Sequence, residues 1–336
     1  MNIMETFYNN KRILVAGGSG FIGTNLVRKL VEMGANVRSV THSKRPQEIF
    51  PSVEYIKLNL EQYSNCLNAC ADVDYVFMAA ANSSGAGVMS KTPLVHLTPN
   101  IVMNSYMLAA AYEARVQKFC FISSNTVYPL TDFAVKEGDA GFEFYEKYHV
   151  VAWMKRFSEI MCEMYNSKIG NPMKTIVVRP GNLYGPFDKF NWKESKVVAA
   201  LIRRAVERHD PFKVWGDGMD IKDFLYIDDF IDGLLKVFMV EGDLGPVNIA
   251  SGSPITIREI IKAILMVSNY NEVFVSYDDT MPTMIPKRLI NISYIKKITD
   301  WKPETDIKSG LSKTLSWYNN FYTSRGLLPE EISNDY

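Results

Sequence analysis

Three glycines, Gly17, Gly20 and Gly23, recur at three-residue spacing in RILVAGGSGFIGTNL (Arg12–Leu26). That spacing suits the cradling of a phosphate. The first glycine permits a tight turn, the second lets backbone approach a pyrophosphate, and the third lets a helix pack close to a strand. The flanking residues supply what such a turn needs. Ile13–Ala16 reads as a buried strand, while Ile22, Leu26, Val27, Leu30 and Val31 recur at helical spacing. The turn therefore ends at a helix N-terminus whose free N–H groups can face an anion. In that context the segment reads as a dinucleotide-binding loop, with Gly17, Gly20, Phe21, Ile22 and Gly23 as its contacts.

The second strand, Asn36–Thr41, ends where such folds usually place an acidic residue on the adenosine ribose. Thr41, His42, Ser43, Lys44 and Arg45 stand there instead. Neutral and basic side chains suit a 2′-phosphate better, so Thr41, His42, Ser43 and Arg45 favour NADP over NAD. The small residues of AAANSSGAG (Ala79–Gly87) would let backbone lie against the cofactor, which adds Ala79, Ala80 and Ala81. Asn59, Leu60 and Pro180 complete the expected cofactor contacts.

The elements that must position these residues alternate. Strand Val53–Leu58, helix Glu61–Ala71, strand Asp74–Ala80, a long helical segment Pro99–Arg115 and strand Lys118–Ser124 follow one another. Alternating strands and helices predict an α/β fold with a doubly wound parallel sheet. At 336 residues the chain can hold that core and a smaller second lobe. Lys+Arg and Asp+Glu both number 37, which argues against an electrostatic grip on nucleic acid or anionic membrane. No apolar run reaches the ~18–20 residues of a membrane span. Cys66, Cys70, Cys120 and Cys162 show neither disulfide nor metal-ligand spacing and read as core thiols, which predicts a reducing, cytoplasmic location and no metal.

FISSNTVYP (Phe121–Pro129), NIVMN (Asn100–Asn104), RPGNLYGP (Arg179–Pro186) and FLYIDD (Phe224–Asp229) close the question of family. With GGSGFIG, they resemble the extended short-chain dehydrogenase/reductases of the nucleotide-sugar epimerase/dehydratase group, over about residues 11–321. NLYGPFDKFN, ALIRR and VWGDGMDIKDFLYIDD are most similar to the branch that contains GDP-fucose synthase. The resemblance implies a Rossmann domain over 1–180 with part of 224–252, and a smaller domain over 181–336 that binds a nucleotide sugar, expected to be GDP-linked. It also implies a homodimer built from helices at about 99–115 and 149–166.

Chemistry in that family, the resemblance implies, uses a hydroxyl residue, a tyrosine and a lysine in Y-x-x-x-K spacing. Ser124 matches the hydroxyl, which hydrogen-bonds the reacting sugar oxygen, and Lys155 matches the lysine on the nicotinamide ribose. The tyrosine position holds Val151, which cannot shuttle a proton. Tyr148 is a substitute on nearly the same helix face, within roughly 20°, but ~10.5 Å along the axis from Lys155. Thr126 and Lys196 stand where the fucose-synthase pattern has a cysteine and a histidine for epimerisation, and threonine is no acid at neutral pH. On the substrate side, Arg204, Lys222 and Arg288 match diphosphate contacts, Val197 and Leu201 the base pocket, and Asn125, Asn182 and Lys196 further substrate contacts. Two functions follow: an oxidoreductase that moves hydride at C4 of a GDP-linked hexose or heptose, or a binding protein that kept both pockets and lost turnover.

Overall fold

The computed structural model describes residues 3–82 and 92–331. Seven strands form the central sheet, in the order Val247–Ile249, Lys174–Pro180, Lys118–Ile122, Tyr75–Met78, Arg12–Ala16, Asn36–Thr41 and Glu54–Lys57. Every pairing in it is parallel. Parallel sheets are covered on both faces, so their central strands carry apolar residues without interruption. Tyr75–Met78 and Lys118–Ile122 are buried throughout, whereas the edge strand Glu54–Lys57 is exposed at both ends. Successive side chains divide between the two faces. Ile13 and Val15 join the core beneath helices Phe21–Glu32 and Ile227–Met239; Leu14 and Ala16 join the core beneath Tyr63–Cys70 and Thr98–Glu113.

The chain runs outward from Arg12–Ala16 to Glu54–Lys57, then returns to add Tyr75–Met78 on the other side. That reversal opens a crevice at the carboxyl ends of Arg12–Ala16 and Tyr75–Met78, where such sheets bind ligands. Outside the seven-stranded sheet lie helices Val197–Val206, Ile257–Val267 and Ile307–Phe321 and short strand pairs, among them Phe212–Trp215 with Val275–Asp278. Arg28 of the first helix after the glycine turn pairs with Asp228 at 2.8 Å, which ties that helix to Ile227–Met239.

Several boundaries differ from the sequence expectation. Helix 61–71 begins instead at Tyr63, because the Asn59 side chain accepts the Glu61 N–H at 2.9 Å and holds a turn there. The long helix spans Thr98–Glu113, and Arg115 beyond it takes a φ of 57°. Strand Lys118–Ser124 stops at Ile122, where Ser124 turns to cap the short 3₁₀ turn Asn125–Val127. The four cysteines are free and buried, and burial pushes the thiols of Cys66 and Cys70 up to about 12.

One buried ion pair ties the second half of the sheet to helix His149–Ser167. Arg179 donates to both oxygens of Glu159, at 2.8 and 2.7 Å, and Ser123 donates to Glu159 Oε1 at 2.5 Å. Burial works against the charged guanidinium, but Glu159 outweighs it and raises the Arg179 pKa. Removing one member of such a pair strands the other charge, at about 3–5 kcal/mol. Glu159→Leu should therefore lower stability by that amount in chemical denaturation, and Glu159→Leu with Arg179→Met should lose less than the single variant. A double variant as damaged as the single one would show that packing, rather than the stranded charge, carries the loss.

Candidate functional site

The glycine turn follows directly from strand Arg12–Ala16. The N–H groups of Gly17 and Gly18 both donate to the Val40 carbonyl at 3.0 Å, which fixes the turn against the second strand. Gly17 has a φ of 84°, and a Cβ there would lie 2.6 Å from the Ala80 Cα. A Cβ on Gly23 would strike the Gly17 carbonyl oxygen. The fold itself requires these two glycines. Gly20 is different, with a φ of −83° that any residue adopts, and a Cβ there would meet only the Gly17 oxygen at 3.3 Å. It is the N-cap of helix Phe21–Glu32, and no side chain caps that helix. Glycine at position 20 thus keeps space open before uncapped N–H groups, including those of Phe21 and Ile22, and this cradle fits a dinucleotide pyrophosphate.

The other expected cofactor residues surround this turn unevenly. Ala79 and Ala80 pack against Gly17, and Ala81 is exposed. Ser83–Gly87 lie outside the described residues. Thr41 is buried with its carbonyl accepting the Leu58 N–H, while His42, Ser43 and Arg45 are exposed beyond it. The Asn59 side chain is engaged by Glu61, and Leu60 is packed in the core, so Leu60 can offer a ligand only its backbone. A cavity in front of the turn is lined by Ser19, Gly20, Phe21, Lys44 and Arg45 on one side, and by Asp188, Lys189, Tyr322 and Pro329 on the other. The last four were not among the expected contacts. Tyr322 and Pro329 arrive from the far end of the chain, and no local pattern marks them.

At the end of strand Lys118–Ile122, Ser124 accepts the Thr126 N–H at 3.2 Å. A hydroxyl that accepts in this way still has its own O–H to donate to a ligand oxygen. Lys155, on helix His149–Ser167, donates to the Ile122 carbonyl at 2.8 Å and lies 4.8 Å above the Phe121 ring. Burial pushes its pKa down to about 8, with Lys196 adding to the shift. Val151 lies one turn earlier on this helix, half-buried. The Thr126 hydroxyl is buried without a hydrogen-bond partner, an arrangement that costs about 1–3 kcal/mol unless a ligand supplies one. Asn125 donates to the Pro180 carbonyl at 2.9 Å, so its amide joins two strand ends.

Tyr148 is not on the Lys155 helix. It closes the preceding 3₁₀ turn Glu146–Tyr148, and its phenol faces the Ile285 backbone and Arg288. Burial pushes that phenol up to about 12, so it stays protonated at neutral pH. Arg288 is 1% exposed, donates to the carbonyls of Pro129 and Tyr128 at 2.9 and 3.0 Å, and has an unpartnered Nε. Burial pushes its pKa down to about 10. Lys222 donates to Asp220 at 3.1 Å and to the Ile285 carbonyl. Tyr148, Lys222 and Arg288 thus meet around the segment at Ile285.

Arg204 stacks on Trp192 at 4.9 Å, and burial lowers its pKa. The exposed Lys196 precedes helix Val197–Val206 and acts electrostatically on both Lys155 and Asp188. Val197 is exposed, but Leu201 is buried among core side chains, so of the two only Val197 presents surface to a base. Leu201 lies one turn on along the same helix face and is covered by the core, whereas Val197 stands at the exposed start of the helix. Asn182 donates its side-chain amide to the Asp223 carbonyl at 3.1 Å. Among the described residues no cluster of three or more His, Cys, Asp or Glu could hold a metal ion. Among them, too, no helix is long and apolar enough to cross a membrane.

A model of the NAD dependent epimerase/dehydratase family matches residues 13–250. The chain belongs to that family. It is 29% identical over 318 residues to GDP-L-fucose synthase 1 of Arabidopsis thaliana, covering 91% of this chain and 93% of the relative. GDP-mannose 3,5-epimerase of Arabidopsis thaliana is 28% identical over 318 residues, with 92% and 82% covered. Among solved structures, epimerase Mth375 from Methanothermobacter thermautotrophicus shares the fold with a TM-score of 0.85 at 23% identity, covering 94% of each chain.

For a member of the epimerase/dehydratase family, the glycine turn and Lys155 lead to two expectations. Gly20→Val keeps an ordinary backbone but must ease a 3.3 Å approach to the Gly17 oxygen; it should abolish nucleotide retention in purified protein whose circular dichroism and melting temperature match wild type. Unchanged nucleotide content would show that the pyrophosphate lies elsewhere. Lys155 is mostly protonated at pH 7 and mostly neutral by pH 9, given a pKa of about 8. The affinity for the nicotinamide dinucleotide, followed by fluorescence titration, should therefore fall as pH rises through this window, and Lys155→Met should be weaker and flat. A wild-type affinity constant from pH 7 to 9 would remove Lys155 from the cofactor site.

Proposed function

We propose that this chain is an oxidoreductase that binds a nicotinamide dinucleotide, NADP in preference to NAD, and a GDP-linked hexose or heptose, and transfers hydride at C4 of that sugar. The observation that carries this reading is the junction at Ile122. Ser124 and the Lys155 ammonium lie at one strand end, and the buried cations Lys222 and Arg288 support a diphosphate site. The bound nicotinamide supplies the hydride acceptor or donor. In the oxidative direction the C4 hydrogen leaves with its electron pair, and the hydroxyl proton leaves as the carbonyl forms. Ser124 hydrogen-bonds the oxygen, Lys155 holds the ribose, and the proton passes to water or a neighbouring side chain.

GDP as the base follows the two plant relatives, whose names carry it. NADP follows the basic residues after Thr41. The reading extends to a cytoplasmic enzyme of surface-polysaccharide sugar synthesis, working as a homodimer. The dimer would use helices Thr98–Glu113 and His149–Ser167, which leave Tyr106, Trp153, Phe157 and Met164 exposed. Epimerisation through Thr126 is disfavoured, since its hydroxyl does not ionise near neutral pH. Val151 favours a second reading, a binding or regulatory protein that holds both ligands without turnover.

Single turnovers distinguish the two. Mixing cofactor-loaded protein with GDP-mannose and related GDP-sugars should change nicotinamide absorbance, slowly, because a positioned acid/base is worth about 10²–10⁴-fold. Val151→Tyr places a phenol one turn from Lys155 and should raise the rate. The half-buried site limits the cost of the larger side chain to about 1–3 kcal/mol. Tight binding of GDP-sugars with no absorbance change, even at one turnover, would move the chain to the binding class.

A further inference from the structure

In a dinucleotide fold the loop about 20 residues beyond the glycine turn faces the adenosine ribose. Here that loop reaches across to the smaller lobe. Lys44 Nζ lies 2.6 Å from Glu194 Oε2, and Lys189 Nζ lies 3.2 Å from Glu194 Oε1. Gln47 donates to the Phe187 carbonyl at 3.1 Å. Lys44 and Lys189 line the same cavity as Ser19, Gly20 and Arg45, in front of the helix N-terminus. Two cations, one from each lobe, are thus gathered beside the pyrophosphate cradle by a single carboxylate.

Glu194 is itself held in place. Asn191 donates its side-chain amide to Glu194 Oε2 at 3.1 Å and accepts the Glu194 N–H at 2.9 Å. Burial pushes the Glu194 carboxyl up, but Lys44 and Lys189 outweigh it and hold the pKa at about 2, so the carboxylate is charged at any working pH. Asp188 and Lys196 act electrostatically on the same group of residues. The carboxylate neutralises the charges that a phosphomonoester on the ribose would otherwise meet.

We propose that Glu194 is a specificity-determining residue for the cofactor: it is the resident counter-ion of Lys44 and Lys189, and a ribose 2′-phosphate takes its place. This rests on the nicotinamide dinucleotide occupying the Gly17 turn. A phosphomonoester carries up to two charges where the carboxylate carries one, so the exchange favours the phosphorylated ribose. The diol ribose of NAD offers the lysines only neutral hydroxyl acceptors, too weak to displace a carboxylate, and leaves Glu194 where it is. Preference between the two cofactors then depends on a residue 150 positions away from Lys44 in sequence and in the other lobe.

The test is calorimetric titration of nucleotide-free protein with NADP⁺ and with NAD⁺. Wild type should bind NADP⁺ more tightly. Glu194→Gln removes the competing charge and should tighten NADP⁺ by about two- to fivefold, the scale of a partly exposed ion pair, with NAD⁺ unchanged. Lys189→Met and Lys44→Met should each weaken NADP⁺ by a similar factor and leave NAD⁺ alone, so the inference does not hang on one variant folding. A ratio of the two affinities that stays fixed in all three variants would overturn the role of Glu194 while leaving the cofactor site intact. Wild-type protein that binds neither nucleotide would overturn the cofactor reading, and this inference with it.

Discussion

The carboxylate of Glu159 sets the geometry on which the rest of the site depends. It accepts two N–H groups from Arg179 and the hydroxyl of Ser123, the residue next to Ser124. It also lies one helical turn beyond Lys155, on the same face of helix His149–Ser167. One buried anion therefore fixes the strand that ends in Pro180, the strand that ends at Ile122 and the helix that carries the ammonium. From Arg179 the network continues to the Tyr128 hydroxyl at 3.0 Å, and from there to Asn248 at 2.6 Å. The Tyr128 carbonyl in turn holds Arg288. Burial pushes the Tyr128 phenol up to about 12, so its proton stays on the oxygen and the link to Asn248 persists. Ser123 and Arg288 are thus joined by one chain of buried polar groups, in which the Arg288 Nε alone keeps no partner.

Strand Asn36–Thr41 and the start of the helix at Phe21 were legible in the sequence because local pattern and tertiary burial agree there. The order of the sheet follows from the same alternation. Tyr148 was not legible in the same way. Nothing in EKYHVV marks a change from 3₁₀ to α geometry at His149, and that change turns the phenol from Lys155 toward Ile285. Leu201 misled for a related reason. Val197 and Leu201 share one helix face, and only tertiary packing decides that the first residue of the helix stays exposed while the next turn is buried. The Lys44–Glu194 contact joins residues 150 positions apart in the chain. No spacing rule reaches that far, so it is visible only once the chain is folded.

Gly20 separates what the protein needs from what a ligand needs. Gly17 and Gly23 are required by backbone contacts within the chain, so glycine there says nothing of a cofactor. At Gly20 the backbone is ordinary, and a Cβ would press on the Gly17 carbonyl oxygen alone, at 3.3 Å. Thr126 and Arg288 carry the same kind of information from the other side, as polar atoms the fold has buried and left unpartnered. Space without an occupant and donors without acceptors are both features that the fold alone does not account for.

Charge completes that argument. Burial depresses the pKa values of Lys155, Lys222 and Arg288, so each of them disfavours the folded state in its charged form. Asp220 offsets part of this for Lys222, and Glu159 for Lys155. Among the described residues, no carboxylate lies within ion-pair distance of Arg288. For Lys155 the sign is clear: with a folded pKa of about 8 against a higher unfolded value, the penalty is full below pH 8 and shrinks as pH rises toward the unfolded pKa. The free protein therefore gains stability at this residue on going alkaline. An anion bound in the cleft reverses the balance, because it raises the lysine's pKa again and its binding takes up a proton. Any anion that binds beside these cations would therefore offset their burial, and its binding and the folding of this region would draw on one electrostatic term.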